Sequence, residues 1–452
     1  MASAAEQLAA NINFQAFAKA TDLQKRIWFT LIALVAYRLG TFIPIPGVDP
    51  SRFAEAFHNQ AGGILGMFNT FSGGAVERMA VFALNVMPYI SGSIIVQLMT
   101  TSVPALERLK KEGEVGRKQI NQYTRYLTLI LALVQSYGIA MGLQGSQGVV
   151  ANPGVFFVAS TVITLTGGTM FLMWLGEQIT ARGVGNGISL IIFTGIITDA
   201  PRIIIQTIAL MRTGDVNPFA VIGVIGVMIA AVVFIVFMER SQRRLVVQYP
   251  KRQQAGGMMS MGERSFLPLK LNSSGVIPPI FASSLLLLPT TAASFLGMQQ
   301  NAPEWLQTFE AYLGYGKPGH MALYALGIIF FCFFYTSIVF NPEETADNLR
   351  KYGGFLPGIR PGKKTAEYLD FVLTRLTVIG AAYITVVCLL PEILISAYNI
   401  PFYLGGTSVL IVISVTLDTV AQIQSHLVAH QYEGLIKRSK LRGASAPGPT
   451  KR

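Results

Sequence analysis

Cysteine and histidine are the side chains of this chain most suited to chemistry, but neither type is arranged for it. The two cysteines, Cys332 and Cys388, lie in different apolar segments and form no C-x-x-C pair, so buried structural thiols are favoured over a disulfide or a metal site. His426 and His430 share a helix face at a spacing of four, but no carboxylate lies between them as a metalloprotease motif requires. The sequence therefore predicts no catalytic residue, metal site or cofactor.

Two glycine-rich segments imitate nucleotide-binding loops. Residues 358–365 lack the glycine spacing of a phosphate-binding loop and follow no strand. Residues 183–187 form a tight turn between two apolar segments, whereas a dinucleotide fingerprint joins a strand to a helix. We therefore reject nucleotide binding at both places.

Long apolar segments dominate the chain. Apolar residues make up 52% of the 452 residues and charged residues 13%, against about 25% charge in soluble domains, and the mean hydropathy is +0.49. Since about 20 apolar residues cross the ~30 Å hydrocarbon core, we predict an all-α polytopic membrane protein with ten transmembrane helices. The predicted spans are 24–43, 78–101, 123–143, 155–176, 187–208, 217–238, 273–290, 321–340, 371–391 and 402–425.

The segment before the second span is apolar but too short to cross a membrane. Residues 62–74 (GGILGMFNTFSGG) begin and end with glycine pairs, and the span that follows carries Pro88 near its middle. The unpaired backbone groups of such an interrupted segment are not tolerated in lipid. We predict that this segment lies within protein or lines a water-filled cavity, as a movable stopper would.

The distribution of basic residues predicts the orientation. Most of the 35 Lys and Arg fall in the N-terminal segment, alternate loops and the C-terminal tail, which the positive-inside rule places in the cytoplasm. Arg38 lies within the first span, where it could snorkel to the outer interface. The opposite face holds Arg52, Arg78, Arg202, Arg212 and Lys317. Much of the net charge of +12 is thus a topology signal.

Two cytoplasmic loops, 239–271 and 341–370, are longer and more basic than topology requires. One interpretation is orientation plus attraction to anionic lipid headgroups. The other is a docking surface for a large acidic or RNA-containing partner. Turn formers such as Pro250 and Pro357–Gly358 indicate defined loop shapes, which favours the second interpretation.

Charged residues within the predicted spans are scarce. Glu177, Asp370 and Glu392 lie near span ends, and Asp418 is the deepest acid. An ion-coupled transporter keeps charged partners near the midplane of the membrane. Coupling to protons or sodium is therefore poorly supported.

Six segments together resemble the bacterial SecY family, the channel subunits of the Sec protein translocase. They follow the family order over nearly the whole chain, whereas the N-terminal segment, residues 291–320 and the final tail match loosely. The matching segments are RMAVFALNVMPYISGSIIVQ at 78–97, FLMWLGEQITARGVGNGISLIIF at 171–193, KRQQ at 251–254, LPLKLNSSGVIPPIFASS at 267–284, PGIRPGKKT at 357–365 and GGTSVLIVISV at 405–415.

The resemblance implies an hourglass pore between two five-helix halves of inverted topology. The halves are 24–215, with a re-entrant plug helix at 62–74, and 216–425; a cytoplasmic segment 1–23 precedes them and a basic tail 426–452 follows. An apolar collar is hard to wet and resists ion leakage. The implied pore ring is Val86, Ile90, Ile188, Ile192, Ile280 and Ile411, and the implied plug side chains are Ile64, Leu65, Met67, Phe68 and Phe71.

The resemblance also implies a lateral gate, at which spans two and three face spans seven and eight, with Ser91, Gln135, Asn272 and Ser283 near the seam. Signal or transmembrane segments would leave there into the lipid bilayer. The implied docking residues for the SecA ATPase motor or the ribosome are Arg360, Lys251, Arg252, Lys363 and Lys364.

The resemblance further implies SecE and SecG as membrane partners, and signal peptides and unfolded secretory or membrane proteins as clients. The chain would be no enzyme. It would be a multi-pass protein of the bacterial plasma (inner) membrane with both termini in the cytoplasm. The alternative function is a polytopic secondary transporter of a small solute, which midplane charges would favour and the plug and basic loops disfavour. An intramembrane hydrolase lacks paired aspartates and a nucleophile elbow.

The chain departs from the family pattern at three positions. Asn85 occupies a position where glycine is expected, and Val86 one where isoleucine is expected. Pro279 makes a double proline where alanine is expected. Asn85 and Pro279 could alter helix flexibility near the ring, and Val86 removes one methylene from it.

Overall fold

Helices form most of the computed structural model, which describes residues 20–60, 69–145, 148–213, 218–249, 264–286, 312, 317–398 and 405–443. Of the expected site residues, Ile64, Leu65, Met67, Phe68, Lys251 and Arg252 lie outside these ranges. The first half of the chain contains α1 (Thr21–Gly40), α2 (Pro50–Gln60), α3 (Met87–Ser102), α4 (Pro104–Lys111), α5 (Glu114–Gly145), α6 (Val155–Arg182) and α7 (Gly187–Thr213).

The second half combines helices with a small β-hairpin. Its elements are α8 (Pro218–Arg240), β1 (Gln242–Gln248), β2 (Arg264–Lys270), α9 (Ile277–Leu286), α10 (Pro318–Val339), α11 (Pro342–Lys351), α12 (Lys363–Tyr398) and α13 (Gly406–Gly443).

A helix lies at each of the ten predicted span positions, with bounds that differ by several residues. In the described chain, six helices are long and apolar enough to cross a membrane by themselves: α5, α6, α8, α10, α12 and α13. The pair α3 and α4 would make a seventh span, bent by 97°, because Pro104 cannot continue the preceding helix. The other predicted spans coincide with α1, α7 and α9.

The second span begins later than the sequence analysis predicts. We expected a helix from residue 78 with Pro88 near its middle, and this is wrong. Helix α3 begins at Met87, and Pro88 occupies its first turn, where a missing backbone N–H costs no helical hydrogen bond. Residues 72–86 form turns, with left-handed φ values of 45° at Met79 and 49° at Asn85. Asn85 therefore lies outside the helix, so its effect is not on helix flexibility.

These turns are buried within protein, which explains why they looked like a membrane span. Ala80 and Ala83 are almost fully buried, and the backbone N–H of Val81 donates to the carbonyl of Ile43 at 2.9 Å. An apolar segment is expected to be buried, but its composition does not tell whether lipid or protein surrounds it.

The long loop 239–271 contains the hairpin, which the sequence analysis did not predict. Strands β1 and β2 are antiparallel, with Leu245 opposite Leu267. Backbone hydrogen bonds of 2.9 and 3.0 Å join Gln248 to Phe355 of the other long loop. The two loops share a small apolar core, whose buried members are Leu245, Val247, Leu269, Leu356, Leu369, Val372, Leu373 and Leu376. The mostly helical fold that we predicted is thus extended by one β-hairpin.

Small residues allow the helices to approach closely, and apolar side chains cover the outside. A Cβ at Gly92 of α3 would lie 3.0 Å from the hydroxyl of Thr128 on α5. Ile229 and Phe237 of α8 are 61% and 67% exposed, as side chains that face lipid would be. Cys332 and Cys388 are buried, free thiols.

Candidate channel and gate

The six expected ring residues belong to one apolar cluster. Val86 and Ile411 are each 1% exposed and are members of the cluster core, as are Ile90 and Ile192, while Ile188 and Ile280 are half-buried against it. They come from the start of α3 and from α7, α9 and α13. This cluster extends through most of the helices, so the structure places all six side chains in the apolar interior, and their arrangement as a collar stays a prediction.

Backbone geometry orients two of these side chains on α3. The N–H of Ile90 donates to the carbonyl of Val86 at 3.0 Å, so the two residues are one helical turn apart even though Val86 is the N-cap. Ile188 and Ile192 have the same spacing on α7, and residues spaced by four share a helix face.

Residues 69–74, the described part of the expected plug, are buried beside this cluster. The Nδ2 of Asn85 donates to the carbonyl of Phe71 at 2.7 Å. The same carbonyl lies against Gly195 of α7, where an added Cβ would overlap it. Phe71 is itself 2% exposed.

The next three carbonyls are also held by side chains. The hydroxyl of Tyr37 donates to the carbonyl of Ser72 at 3.3 Å. Arg38 and Arg78 both donate to the carbonyl of Gly73, at 2.6 and 3.1 Å, and Arg78 donates to that of Gly74 at 3.0 Å. We call these four donors, Tyr37, Arg38, Arg78 and Asn85, the carbonyl clamp. The guanidinium of Arg38 thus binds a backbone carbonyl of the protein, and its reach to the outer interface stays a prediction.

An ion pair that the sequence analysis missed lies next to the clamp. Arg202 of α7 makes a two-pronged pair with the carboxylate of Glu77, whose side chain is 10% exposed. Asn69 donates to the same carboxylate at 3.3 Å and accepts from the Glu77 backbone N–H at 3.0 Å. From the sequence we expected Arg202 to be a topology charge, and Glu77, 125 residues away, gives no sequence signal that the two side chains pair.

The expected seam lies between α3 and α9; within the described chain no hydrogen bond joins any two of the four expected gate residues. Ser91 is buried and Gln135 half-buried. Ser283 donates to the carbonyl of Ile280 in its own helix at 3.0 Å. Contact across the seam is made instead by Ser284 of α9, whose hydroxyl lies 3.8 Å from the sulfur of Met87 on α3.

Asn272 bonds within the second half of the chain. Its Nδ2 donates to Glu239 at the end of α8 at 2.7 Å, and it lies 3.3 Å from the hydroxyl of Tyr383 on α12. Tyr383 also donates to Glu239, and Ser274 donates to the Asn272 Oδ1 at 3.0 Å. The sequence analysis identified neither Glu239 nor Tyr383, because they are remote from Asn272 in sequence.

A further polar contact that was not expected from the sequence joins α10 to α12. His320 of α10 and Glu392 of α12 are buried and 2.9 Å apart. The hydroxyls of Tyr324 and Thr407 form a hydrogen bond between α10 and α13. We expected Glu392 only as a residue near a span end.

The expected docking residues in loop 341–370 are exposed. Arg360 lies between Gly358 and Gly362, which have left-handed φ values of 83° and 99°, and the Thr365 hydroxyl donates to its carbonyl at 3.0 Å. Lys364 pairs with Glu367 at 2.9 Å, which lowers the pKa of that carboxyl and raises that of the lysine. Arg360 makes no ion pair with any described residue, and Lys363 is exposed beside it.

Comparison with known proteins gives consistent matches over nearly the whole chain. A family model described as SecY matches residues 80–420. Protein translocase subunit SecY of Pseudomonas aeruginosa is 54% identical, over 94% of this chain and 95% of its own. The subunits of that name from Escherichia coli K12 and Rickettsia conorii are 54% and 53% identical, over 93% of this chain and 96% and 97% of theirs.

Solved structures share the fold at low sequence identity. A structure of a protein conducting channel matches with a TM-score of 0.63 at 18% identity, covering 90% of this chain and 93% of that one. A structure described through the SecY plug domain, which stabilises the closed state and maintains a membrane seal, matches at 0.64 and 17% over the same shares. Sec61 in a canine ribosome-channel complex matches at 0.60 and 18%, again over 90% and 93%.

Proposed function

The chain belongs to the SecY family, and on that basis we propose that it is the central channel subunit of a protein translocase. It passes unfolded polypeptides across the membrane and releases signal or transmembrane segments into lipid. It is a channel subunit and not an enzyme. The observation that carries this proposal is the 54% identity to protein translocase subunit SecY of Pseudomonas aeruginosa over 94% of the chain. The burial of segment 69–74, and the packing of the six expected ring residues in or against one apolar cluster, support it.

The collar is proposed to seal the resting channel. Val86, Ile90, Ile188, Ile192, Ile280 and Ile411 form no specific polar contacts that a passing chain would have to break, and a narrow apolar constriction gates by dewetting. Residues 62–74 are proposed as the plug on its outer side. The two halves, 24–215 and 216–425, are proposed to surround the pore.

The lateral gate is proposed to open between α3 and α9. In the described chain the seam is bridged by the Ser284–Met87 contact, whereas Asn272 bonds within its own half. A seam held by few polar bonds, each worth about 1–2 kcal/mol or less in membranes, can be opened by an apolar signal helix.

The cytoplasmic loops are proposed as the docking surface. A ribosome is the partner best supported, since a similar structure is a Sec61 ribosome-channel complex. Docking of the SecA motor, and assembly with SecE and SecG, are further proposals that rest on family membership. The basic loops and tail also favour a cytoplasmic location of both termini in the bacterial inner membrane. The alternative, a small-solute transporter, gains no support from the relatives.

The decisive test of function is reconstitution. The purified chain is placed in lipid vesicles with SecE, SecG and SecA of the source cell, and import of a signal-bearing precursor is measured by protease protection. Import that requires the chain, ATP and an intact signal supports the proposal. Uptake of small solutes without protein import would overturn it.

A further inference from the structure

Four consecutive backbone carbonyls, those of residues 71–74, are each held by a side chain from the carbonyl clamp. Helix and strand partners do not reach these groups, and a buried carbonyl without a partner is destabilising. The end of segment 69–74 therefore cannot leave its position without breaking these bonds. The clamp fixes this end of the segment to α1 and to the turn before α3.

The four donors differ in how far they can follow a moving carbonyl. Arg38 and Arg78 have long side chains, and both guanidinium groups also contact the Phe42 ring, at 4.7 and 4.2 Å. Asn85 has a short side chain and is 1% exposed, so its bond to Phe71 is the most sensitive to distance. Its Oδ1 has no partner in the described chain, which means that one bond orients the amide.

The backbone of Asn85 connects this bond to the collar. Its φ of 49° is in the left-handed region, which asparagine tolerates better than most residues. The next residue is Val86, a collar side chain and the N-cap of α3. A displacement of the Phe71 carbonyl is thus transmitted through one amide group to the residue that adjoins the collar.

We propose that Asn85 is a latch, which holds the C-terminal end of the expected plug and couples its position to the collar. This inference rests on the proposed channel function and assigns a role to a residue that the resemblance marks only as a departure. The latch favours the closed channel, because opening by movement of residues 71–74 must break the Asn85–Phe71 hydrogen bond.

Asn85→Gly is the sharpest variant, because glycine keeps the left-handed backbone without strain and removes the buried side chain together with its bond to Phe71. Resting ion conductance in planar bilayers should rise about fivefold or more, the effect of losing one buried hydrogen bond. Translocation of a precursor with a weakened signal should rise in parallel. Asn85→Asp, which replaces the donor with an acceptor facing the Phe71 carbonyl, should raise conductance further.

Tyr37→Phe is a second test that keeps the side-chain shape and removes the donor to Ser72. It should also raise resting conductance, by less than Asn85→Gly because its bond is longer. Tyr137→Phe is the matched control: that ring on α5 is 55% exposed, and conductance should stay at the wild-type value. Thermal unfolding of the purified complex shows whether each variant is folded.

Deletion of residues 62–70 separates failure of the latch from failure of the proposed function. If the deletion raises leakage while Asn85→Gly and Tyr37→Phe both keep the wild-type conductance, the latch proposal is wrong. The assignment of residues 62–74 as the plug is then still supported. Wild-type conductance in the deletion and in all variants would overturn the seal, and the latch with it.

Discussion

At the scale of single residues, Arg360 is the side chain whose proposed role differs most from its topological one. It is exposed on a tip shaped by Gly358 and Gly362, and within the described chain it has no acidic partner. Lys364, by contrast, is paired with Glu367. A guanidinium presents several donors in a plane, which suits carboxylates and phosphates and which lysine cannot copy.

Arg360→Glu should severely impair motor-driven translocation while expression and membrane insertion stay normal. Loss of a buried partner in a charge pair costs about 2–5 kcal/mol, a factor of about 30 or more in affinity. The measurement is ATP-dependent import into vesicles with equal amounts of channel. Lys363→Glu, next on the same surface, is the matched control and should have a smaller effect. If the Arg360→Glu channel imports at the wild-type rate, the docking role is wrong and Arg360 serves only to orient the chain in the membrane.

Asn272 and Ser283 were both expected at the gate, and the structure predicts different effects for them. Asn272→Leu removes bonds to Glu239 and Tyr383, each worth about 1–2 kcal/mol or less, and should change the signal hydrophobicity required for export. Ser283→Ala removes only a bond within its own helix and should leave that threshold unchanged. The measurement is export of a series of signals of increasing hydrophobicity; equal thresholds in both variants would contradict the assignment.

At the scale of elements, the proposed gate lies between α3 and α9, which are in contact through Met87 and Ser284. Because the side chains of Met87 and Ser284 touch, a disulfide between Met87→Cys and Ser284→Cys should form in the resting channel and block export. Each single-cysteine variant, and the pair Met87→Cys with Ile229→Cys on α8, should remain active and unlinked. Absence of the Met87–Ser284 cross-link would show that these helices are not neighbours in the membrane.

The sequence predicted the helices well and the irregular segments poorly. The apolar segments correctly located a helix at every predicted span. Each helix that crosses a membrane needs a similar length of apolar residues, and such segments are easy to recognise in a sequence. The turns at 72–86 were missed because the sequence alone does not tell whether Pro88 lies in the first turn of a helix or in its interior. The backbone hydrogen bonds of the structure show that it lies in the first turn. The hairpin was missed because the basic residues of β1 were interpreted only as topology or docking charges. In the structure, Leu245 and Val247 are buried and alternate with exposed residues, as in a strand.

The site could be predicted only in part, for a related reason. The six collar residues came from the resemblance, since isoleucine and valine are frequent throughout the spans and no spacing singles them out. Arg78 bonds to carbonyls only four and five residues away, but the other clamp bonds span 14 or 35 residues and the Glu77–Arg202 pair spans 125. A single sequence does not show which residues so far apart come into contact. Asn85 was noticed as a departure, but its role depends on a φ angle and a hydrogen bond that only the structure shows.

At the scale of the whole molecule, the proposed collar takes its side chains from both halves of the chain. The triple variant Ile90→Ser, Ile192→Ser and Ile411→Ser should wet this constriction and raise the ion conductance of the resting channel. The matched control is Ile229→Ser, Val233→Ser and Phe237→Ser on the exposed face of α8, which should leave conductance unchanged. Equal conductance in the two triple variants would contradict the collar assignment.

The most direct test of the account asks where a translocating polypeptide lies. A precursor is arrested midway by a folded C-terminal domain in vesicles that contain the channel, and a photo-cross-linker is placed in turn at Ile90, Ile192, Ile411, Ile229 and Phe237. If the polypeptide passes through the collar, the three collar positions cross-link to the precursor and the two positions on α8 do not. Cross-links from α8 with none from the collar would contradict passage through the collar.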